Sequence, residues 1–217
     1  MMGKQPRGAL VVFEGIDRSG KTSQTNLLNG ALSARGIPSA LRRFPDRTTP
    51  TGLLISSYLE GQKNLSDQVI HLLFSSNRWE ATSEMKETLE SGTTLIVDRY
   101  AYSGVAYTAA KGAADLDWCK APDRGLLTPD LVIYFDIPTS VAASRAEYGG
   151  ERYEKVEFQE KVRSQFAKLG EGDKRWAIVD AARPGEDIHE AVLGLVLEAV
   201  ERAKNEPLRE DLWVSDY

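Results

Sequence analysis

Phe13-Glu14-Gly15-Ile16-Asp17-Arg18-Ser19-Gly20-Lys21-Thr22 is the stretch that decides the fold of this chain. It has the spacing G-x-x-x-x-G-K-T. The two glycines let backbone N–H groups turn toward anionic oxygens, Lys21 reaches the β- and γ-phosphate oxygens, and the hydroxyl of Thr22 ligates Mg²⁺. An apolar run precedes the stretch and a helical pattern follows it, which is the strand–loop–helix order of a phosphate-binding loop. The stretch therefore predicts a site for a nucleoside triphosphate.

The rest of the chain alternates between apolar runs and helical patterns. The runs at 9–13, 40–44, 94–97, 131–135 and 176–179 predict five strands, and the longest helical patterns cover 20–34 and 66–89. Pro45 and Pro50 predict a loop that carries Asp46 and Arg47. We therefore predict an α/β fold of the P-loop nucleoside monophosphate kinase type, a five-stranded parallel sheet with helices on both faces and ligands at the carboxyl ends of the strands.

Composition limits the class of protein. The chain has 217 residues, 41% of them apolar, and a formal net charge of −5. This fits one globular domain over residues 1–217 and argues against nucleic acid or a membrane as partner. The single Cys119 fits a reducing compartment, and neither a signal peptide nor an apolar run of spanning length is found. We expect a cytoplasmic protein, with the nucleus left open as a second location.

Arginines follow several predicted strands. Asp46-Arg47, Asp98-Arg99 and the arginine-rich segment 145–152 all lie at such positions. Each arginine taken singly is most often a solvated surface charge. Several at one edge of a sheet favour a second phosphorylated ligand and phosphoryl transfer over hydrolysis, because guanidinium groups bind phosphate oxygens in pairs.

A candidate site for a nucleobase lies in the helix predicted at 66–89. Phe74 and Arg78 are one turn apart, so an aromatic ring can stack on a base while a guanidinium donates to its edge. The alternative is that Phe74 packs in the core and Arg78 pairs with a surface acid.

Five ordered motifs resemble the thymidylate kinase family: Phe-Glu-Gly-Ile-Asp-Arg-Ser-Gly-Lys-Thr-Ser-Gln at 13–24, Arg-Phe-Pro-Asp-Arg at 43–47, Leu-Leu-Phe-Ser-Ser-Asn-Arg-Trp-Glu at 72–80, Asp-Arg-Tyr-Ala-Tyr-Ser-Gly-Val-Ala-Tyr at 98–107 and Glu-Arg-Tyr-Glu at 151–154. They span nearly the whole chain. The P-loop arginine and the segment 206–213 are similar to those of eukaryotic members.

The resemblance implies transfer of the γ-phosphoryl group of ATP to dTMP, with Mg²⁺ as cofactor. It implies the catalytic residues Arg18, Lys21, Asp98 and Arg99. It implies an ATP site of Gly15, Ser19, Gly20, Lys21, Thr22, Ser23, Arg145 and Arg183. It implies a dTMP site of Asp17, Phe44, Arg47, Phe74, Arg78, Arg99, Ser103, Gly104, Tyr107 and Tyr153. The metal would be held by Thr22 and, through water, by Asp98.

Finer roles follow from the same resemblance. Asp17 would meet the 3′-hydroxyl of dTMP, and Tyr107 would crowd the 2′ position. A lid at about 145–155, with glycines at 149 and 150, would cover the reacting groups. A homodimer would form through the helix that carries Val69, Leu72 and Leu73.

Two alternatives stay open at this point. One is another nucleoside monophosphate kinase or a deoxynucleoside kinase, for which Glu14 is the only obvious base beside the first strand. The other is a nucleotide-binding regulator that has lost catalysis. A regulator without activity would be expected to lack Lys21 or Arg18, and both are present.

Overall fold

The computed structural model describes residues 6–145 and 152–214, and its centre is a parallel sheet. The five strands are β1 (Leu10–Glu14), β2 (Ser39–Arg43), β3 (Thr94–Asp98), β4 (Leu131–Asp136) and β5 (Trp176–Asp180). They pair in the order β2-β3-β1-β4-β5. All five predicted strands are therefore confirmed, and the loops that follow them meet at one edge of the sheet.

Helices cover this sheet, as expected for an α/β fold. They are α1 (Lys21–Ser33), α2 (Pro50–Leu59), α3 (Asp67–Glu90), α4 (Ala101–Ala110), α5 (Leu116–Lys120), α6 (Thr139–Ala143), α7 (Val156–Gly170) and α8 (Gly185–Ala203). Helices α1 and α8 pack against each other, while α3 and α7 both pack on α4. None of the helices in the described ranges combines the length and apolarity needed to cross a bilayer.

Strand β1 lies at the centre of the sheet and carries the phosphate-binding loop. Its five residues are all fully buried, because β3 and β4 pair with it on either side. Four strands end on an acidic residue, one position beyond the predicted apolar run. An apolar pattern does not predict that the strands include these last residues. Their charged side chains are stabilised by hydrogen bonds and ion pairs at the carboxyl edge of the sheet and not by burial in the apolar core.

Helix α2 was not predicted from the sequence. Pro50 occupies its first turn, where a missing N–H costs nothing, and the side chain of Thr49 accepts a hydrogen bond from the N–H of Gly52 at 3.0 Å. Proline therefore begins this helix instead of preventing it. Asp46 and Arg47 lie in the loop before it, as predicted.

Candidate functional site

The loop between β1 and α1 has a backbone that depends on glycine. Gly15 and Gly20 have φ values of 147° and 95°, in the region that side chains disfavour. A Cβ on Gly15 would lie 2.8 Å from the carbonyl oxygen of Phe135. Gly20 precedes α1 without a capping side chain, so the first N–H groups of this helix are available to an anion.

Lys21 is buried in this loop and bonded to it. Its Nζ donates to the carbonyl oxygens of Gly15 at 3.1 Å and Ile16 at 2.7 Å, and to Oγ of Ser19 at 3.0 Å. Burial lowers the pKa of Lys21 to about 7, and the nearby charge of Arg99 adds to the effect. An anion bound at the loop would reverse this shift by favouring the ammonium form.

Thr22 and Asp98 form the oxygen-rich corner of the site. The hydroxyl of Thr22 donates to Oδ2 of Asp98 at 2.6 Å, which joins the start of α1 to the end of β3. No group of three metal-binding side chains is found among the described residues. One hydroxyl and one carboxylate would suit Mg²⁺, a cation that prefers oxygen ligands.

A first cavity lies over the phosphate-binding loop, and we call it the donor cavity. It is lined by most of the residues predicted to bind ATP: Ser19, Gly20, Lys21, Thr22, Ser23 and Arg145. Arg145 donates to the carbonyl oxygens of Arg18 at 2.6 Å and Ala181 at 2.9 Å, so it joins this loop to the one after β5. Arg183 does not line the cavity; it is exposed and pairs with Asp187 at 3.2 Å.

A second cavity, which we call the acceptor cavity, lies between α2, α3 and α4. All ten residues predicted to bind dTMP line it: Asp17, Phe44, Arg47, Phe74, Arg78, Arg99, Ser103, Gly104, Tyr107 and Tyr153. Asp17, Arg43 and Arg99 line both cavities. The two cavities therefore adjoin at the carboxyl edge of the sheet.

Arg78 has a partner that the sequence did not reveal. Its Nε and Nη2 donate to the carboxylate of Asp123 at 3.1 and 2.5 Å, and both side chains are almost fully buried. The alternative of a pair with a surface acid is therefore wrong, because the acid is buried. No hydrogen bond from Nη1 is found within the described residues, and both terminal nitrogens lie close to Gly104, where a Cβ would come within 2.8 Å of Nη2 and 3.2 Å of Nη1.

A network of side chains joins the two cavities. Arg99 donates through Nη2 to Asp17 and through Nη1 to the carbonyl oxygen of Gly15 at 3.1 Å and to Oγ of Ser103 at 3.2 Å. Gln159 of α7 donates to Asp17 at 2.7 Å and accepts from the backbone N–H of Asp17 at 3.0 Å. Sequence reasoning missed Gln159, because a single glutamine on a helix carries no pattern.

Glu14 is buried beneath the acceptor cavity and serves the start of α4. Its carboxylate accepts the N–H groups of Tyr100 at 2.9 Å and Ser103 at 3.1 Å, together with the hydroxyl of Ser103. Burial raises its pKa. Glu14 lines neither cavity, so the nucleoside kinase alternative loses the base that it required.

Arg18 has a positive φ of 61° and lines the donor cavity. Its Nε pairs with Glu154 at 3.2 Å. Of the predicted lid, residues 146–151, including the glycines at 149 and 150, lie outside the described residues. The part that follows is described: Tyr153 donates its hydroxyl to that of Tyr58 at 3.1 Å.

Comparison with known proteins agrees with this arrangement. The family model for thymidylate kinase matches residues 13–192. A thymidylate kinase from Arabidopsis thaliana is 50% identical over 211 residues, 97% of this chain and 79% of that protein. The one from Homo sapiens is 47% identical over 208 residues, 95% of this chain and 98% of that protein. The solved structure of thymidylate kinase from Candida albicans is similar with a TM-score of 0.79 at 39% identity, covering 94% of this chain and 96% of that one.

Proposed function

The chain belongs to the thymidylate kinase family and phosphorylates dTMP, and we propose that it does so by direct transfer between the donor and acceptor cavities. ATP binds in the donor cavity and dTMP in the acceptor cavity. The bond from the γ-phosphorus to the oxygen of ADP breaks as a bond to a phosphate oxygen of dTMP forms, which gives dTDP and ADP. The observation that carries this proposal is that Asp17 and Arg99, which pair with each other, line both cavities.

On the donor side, we propose that the loop amides and Lys21 hold the phosphates. Lys21 would exchange its bonds to loop carbonyl oxygens for bonds to phosphate oxygens. Thr22 would ligate Mg²⁺ directly and Asp98 through water, and the metal would neutralise charge on the β- and γ-phosphates. The close contact between the Thr22 hydroxyl and Asp98 supports this assignment.

On the acceptor side, we propose that Phe74 stacks on thymine and that Nη1 of Arg78 donates to its edge. Asp123 binds Nε and Nη2 of Arg78, so Nη1, which carries two N–H donors, is the nitrogen with no hydrogen bond among the described residues. A guanidinium donates and never accepts, so it favours a base with a carbonyl oxygen at that position, and cytosine, which presents an amino group, is disfavoured. The phosphate of dTMP would be bound by Arg47 and Arg99.

The sugar would lie near Asp17 and Tyr107. Gln159 forms hydrogen bonds with both side chains: its Oε1 accepts from the Tyr107 hydroxyl at 3.5 Å, and its Nε2 donates to Asp17. Asp17 would accept the 3′-hydroxyl, and the ring of Tyr107 would leave little room for a 2′-hydroxyl.

Arg18 is the residue that we propose for stabilising the transition state. The acceptor oxygen is already anionic, so the reaction requires no general base, and catalysis depends on positioning and charge neutralisation. Arg18 lines the donor cavity and pairs there with Glu154, and this position supports the proposed role.

We also propose that the chain acts as one kinase domain within a cytoplasmic homodimer. Val69 and Leu72 of α3 are 45% and 46% exposed, which leaves apolar surface for a second copy, whereas Leu73 packs beside Ile70. Sedimentation equilibrium tests the dimer: a variant with Val69→Asp and Leu72→Asp is expected to sediment as a monomer.

A coupled assay of ADP release tests the reaction itself. Purified protein is given ATP and Mg²⁺ with dTMP, dUMP, dCMP or thymidine as acceptor. We expect dTMP to have the highest kcat/KM, dUMP to follow, and dCMP to fall at least about 10²-fold lower, because the amino group of cytosine leaves a donor unpaired. Faster phosphorylation of thymidine than of dTMP would overturn the acceptor assignment.

A further inference from the structure

Arg43 occupies a position that the proposed function leaves without a role. It is the last residue of β2 and lies opposite Asp98 in the parallel register with β3. Its side chain is 62% exposed, so the core does not require it. Arg43 nevertheless lines both the donor and the acceptor cavity. Of the three residues that do so, Asp17 and Arg99 already bind each other.

The positive charge of Arg43 has only a weak contact with an acidic side chain among the described residues. Its Nε lies 3.9 Å from Oδ2 of Asp98, at the outer limit of an ion pair. This is the carboxylate oxygen that accepts the hydroxyl of Thr22 at the proposed metal site. The guanidinium makes no side-chain hydrogen bond within residues 6–145 and 152–214, although it carries five donors. A cation in this state is available to phosphate oxygens from either cavity.

We propose that Arg43 binds the phosphoryl group at the junction of the two cavities while it passes from ATP to dTMP. This inference rests on the proposed function. Arg43 gives up no proton: one P–O bond breaks and one forms, and the guanidinium stays charged throughout. Its contribution is a pair of planar N–H donors beside equatorial oxygens whose charge must be neutralised during transfer.

The neighbouring residue supplies a matched control. Arg42 precedes Arg43 in the same strand, and successive side chains of a strand point to opposite faces. Arg42 is bound to Glu84 at 2.6 Å and to Asp46 at 3.8 Å, and it lines neither cavity. Removing either arginine takes one positive charge from the same strand end, so a general effect of charge would appear in both variants.

The experiment compares Arg43→Ala, Arg43→Lys and Arg42→Ala with the unaltered chain. Turnover of dTMP is measured together with the Kd of ADP, of dTMP, and of a probe in which five phosphates join adenosine to thymidine. Arg43→Ala is expected to lower kcat about 10²-fold, the scale for losing one charge-stabilising donor, and to weaken the probe at least about tenfold. The Kd of ADP and that of dTMP should each change less than about threefold, because neither contains the phosphoryl group that is transferred.

The other two variants fix the interpretation. Arg42→Ala should stay within about twofold of the unaltered chain in kcat and in probe affinity. Arg43→Lys should recover part of the kcat, since it keeps the charge but loses the paired donors.

Two results would overturn the role of Arg43. One is an Arg43→Ala variant that matches Arg42→Ala in kcat and probe affinity. The other is a loss of ADP or dTMP affinity as large as the loss for the probe, which would assign Arg43 to a single substrate. Failure of the proposed function is a different result, because the unaltered chain itself would then form no dTDP.

Discussion

Binding of ADP is expected to draw a proton onto Lys21. Burial brings the pKa of this side chain to about 7 when no anion occupies the loop. Near pH 8 only about one tenth of the lysine is then charged, whereas a phosphate beside the amine requires the charged form. The complex should therefore take up about 0.9 proton for each ADP bound near pH 8.

The direction of the pH dependence follows from the same shift. The pKa of Lys21 is higher in the complex than in the free protein. ADP therefore binds with its full affinity below the pKa that Lys21 has in the free protein. This affinity is lost as the pH rises above that value. For a free-state pKa of about 7, the dissociation constant at pH 9 should be roughly 50-fold higher than at pH 7, provided that the pKa in the complex lies well above 9.

Isothermal titration calorimetry measures this uptake directly. ADP with Mg²⁺ is titrated near pH 8 in two buffers of different ionisation enthalpy, and the difference in apparent binding enthalpy gives the number of protons. In the Lys21→Arg variant the guanidinium is charged at every pH used, so the uptake should fall close to zero. Uptake below about 0.2 proton in the unaltered chain, or equal uptake in the variant, would refute the reasoning.

Three further substitutions separate turnover, binding and stability. Arg18→Ala should lower kcat by about 10³-fold with little change in the Kd of ATP, measured by single turnover and by titration; equal losses would remove the transition-state role. Gly104→Ala would bring a Cβ to 2.8 Å from Nη2 of Arg78, which Asp123 holds in place, so the KM for dTMP should rise about tenfold while that for ATP is retained. Asp123→Asn leaves the buried Arg78 without its counter-charge and should lower the free energy of unfolding by about 3–5 kcal/mol in urea denaturation; an unchanged value would show that this pair adds nothing to stability.

The fold and much of the site can be predicted from the sequence because the patterns that indicate them lie in short contiguous stretches. The phosphate-binding loop is one contiguous stretch, and the apolar runs around it give the sheet. The residues predicted for dTMP come from four short motifs that follow β1, β2 and β3 or lie on α3, together with Tyr153 in the described part of the predicted lid. Chain topology brings those segments to one edge, so ordered motifs were enough to predict that they meet in one cavity.

Other parts of the site have no local signal. Asp123 lies 45 residues from Arg78, and Gln159 lies 142 residues from Asp17, so nothing in either sequence neighbourhood indicates the pairing. Helix α2 was missed for a different reason. The sequence does not distinguish a proline at the first position of a helix, as Pro50 is, from a proline that ends regular structure. Arg183 after β5 stays a prediction for the donor site, although it lies outside the donor cavity and pairs with Asp187 on the surface.

The buried pair of Arg78 and Asp123 shows how these non-local contacts bear on specificity. A free guanidinium has five donors and would accept a base edge in several registers. Asp123 occupies Nε and Nη2, which fixes the plane of the group and leaves Nη1 for the cavity. In the proposed function, the contact that satisfies a buried charge thus also reduces the number of ways in which a base can bind. In the proposed function the guanidinium selects an acceptor oxygen because it has only donors, and the contact with Asp123 adds a fixed orientation that position 78 alone does not convey.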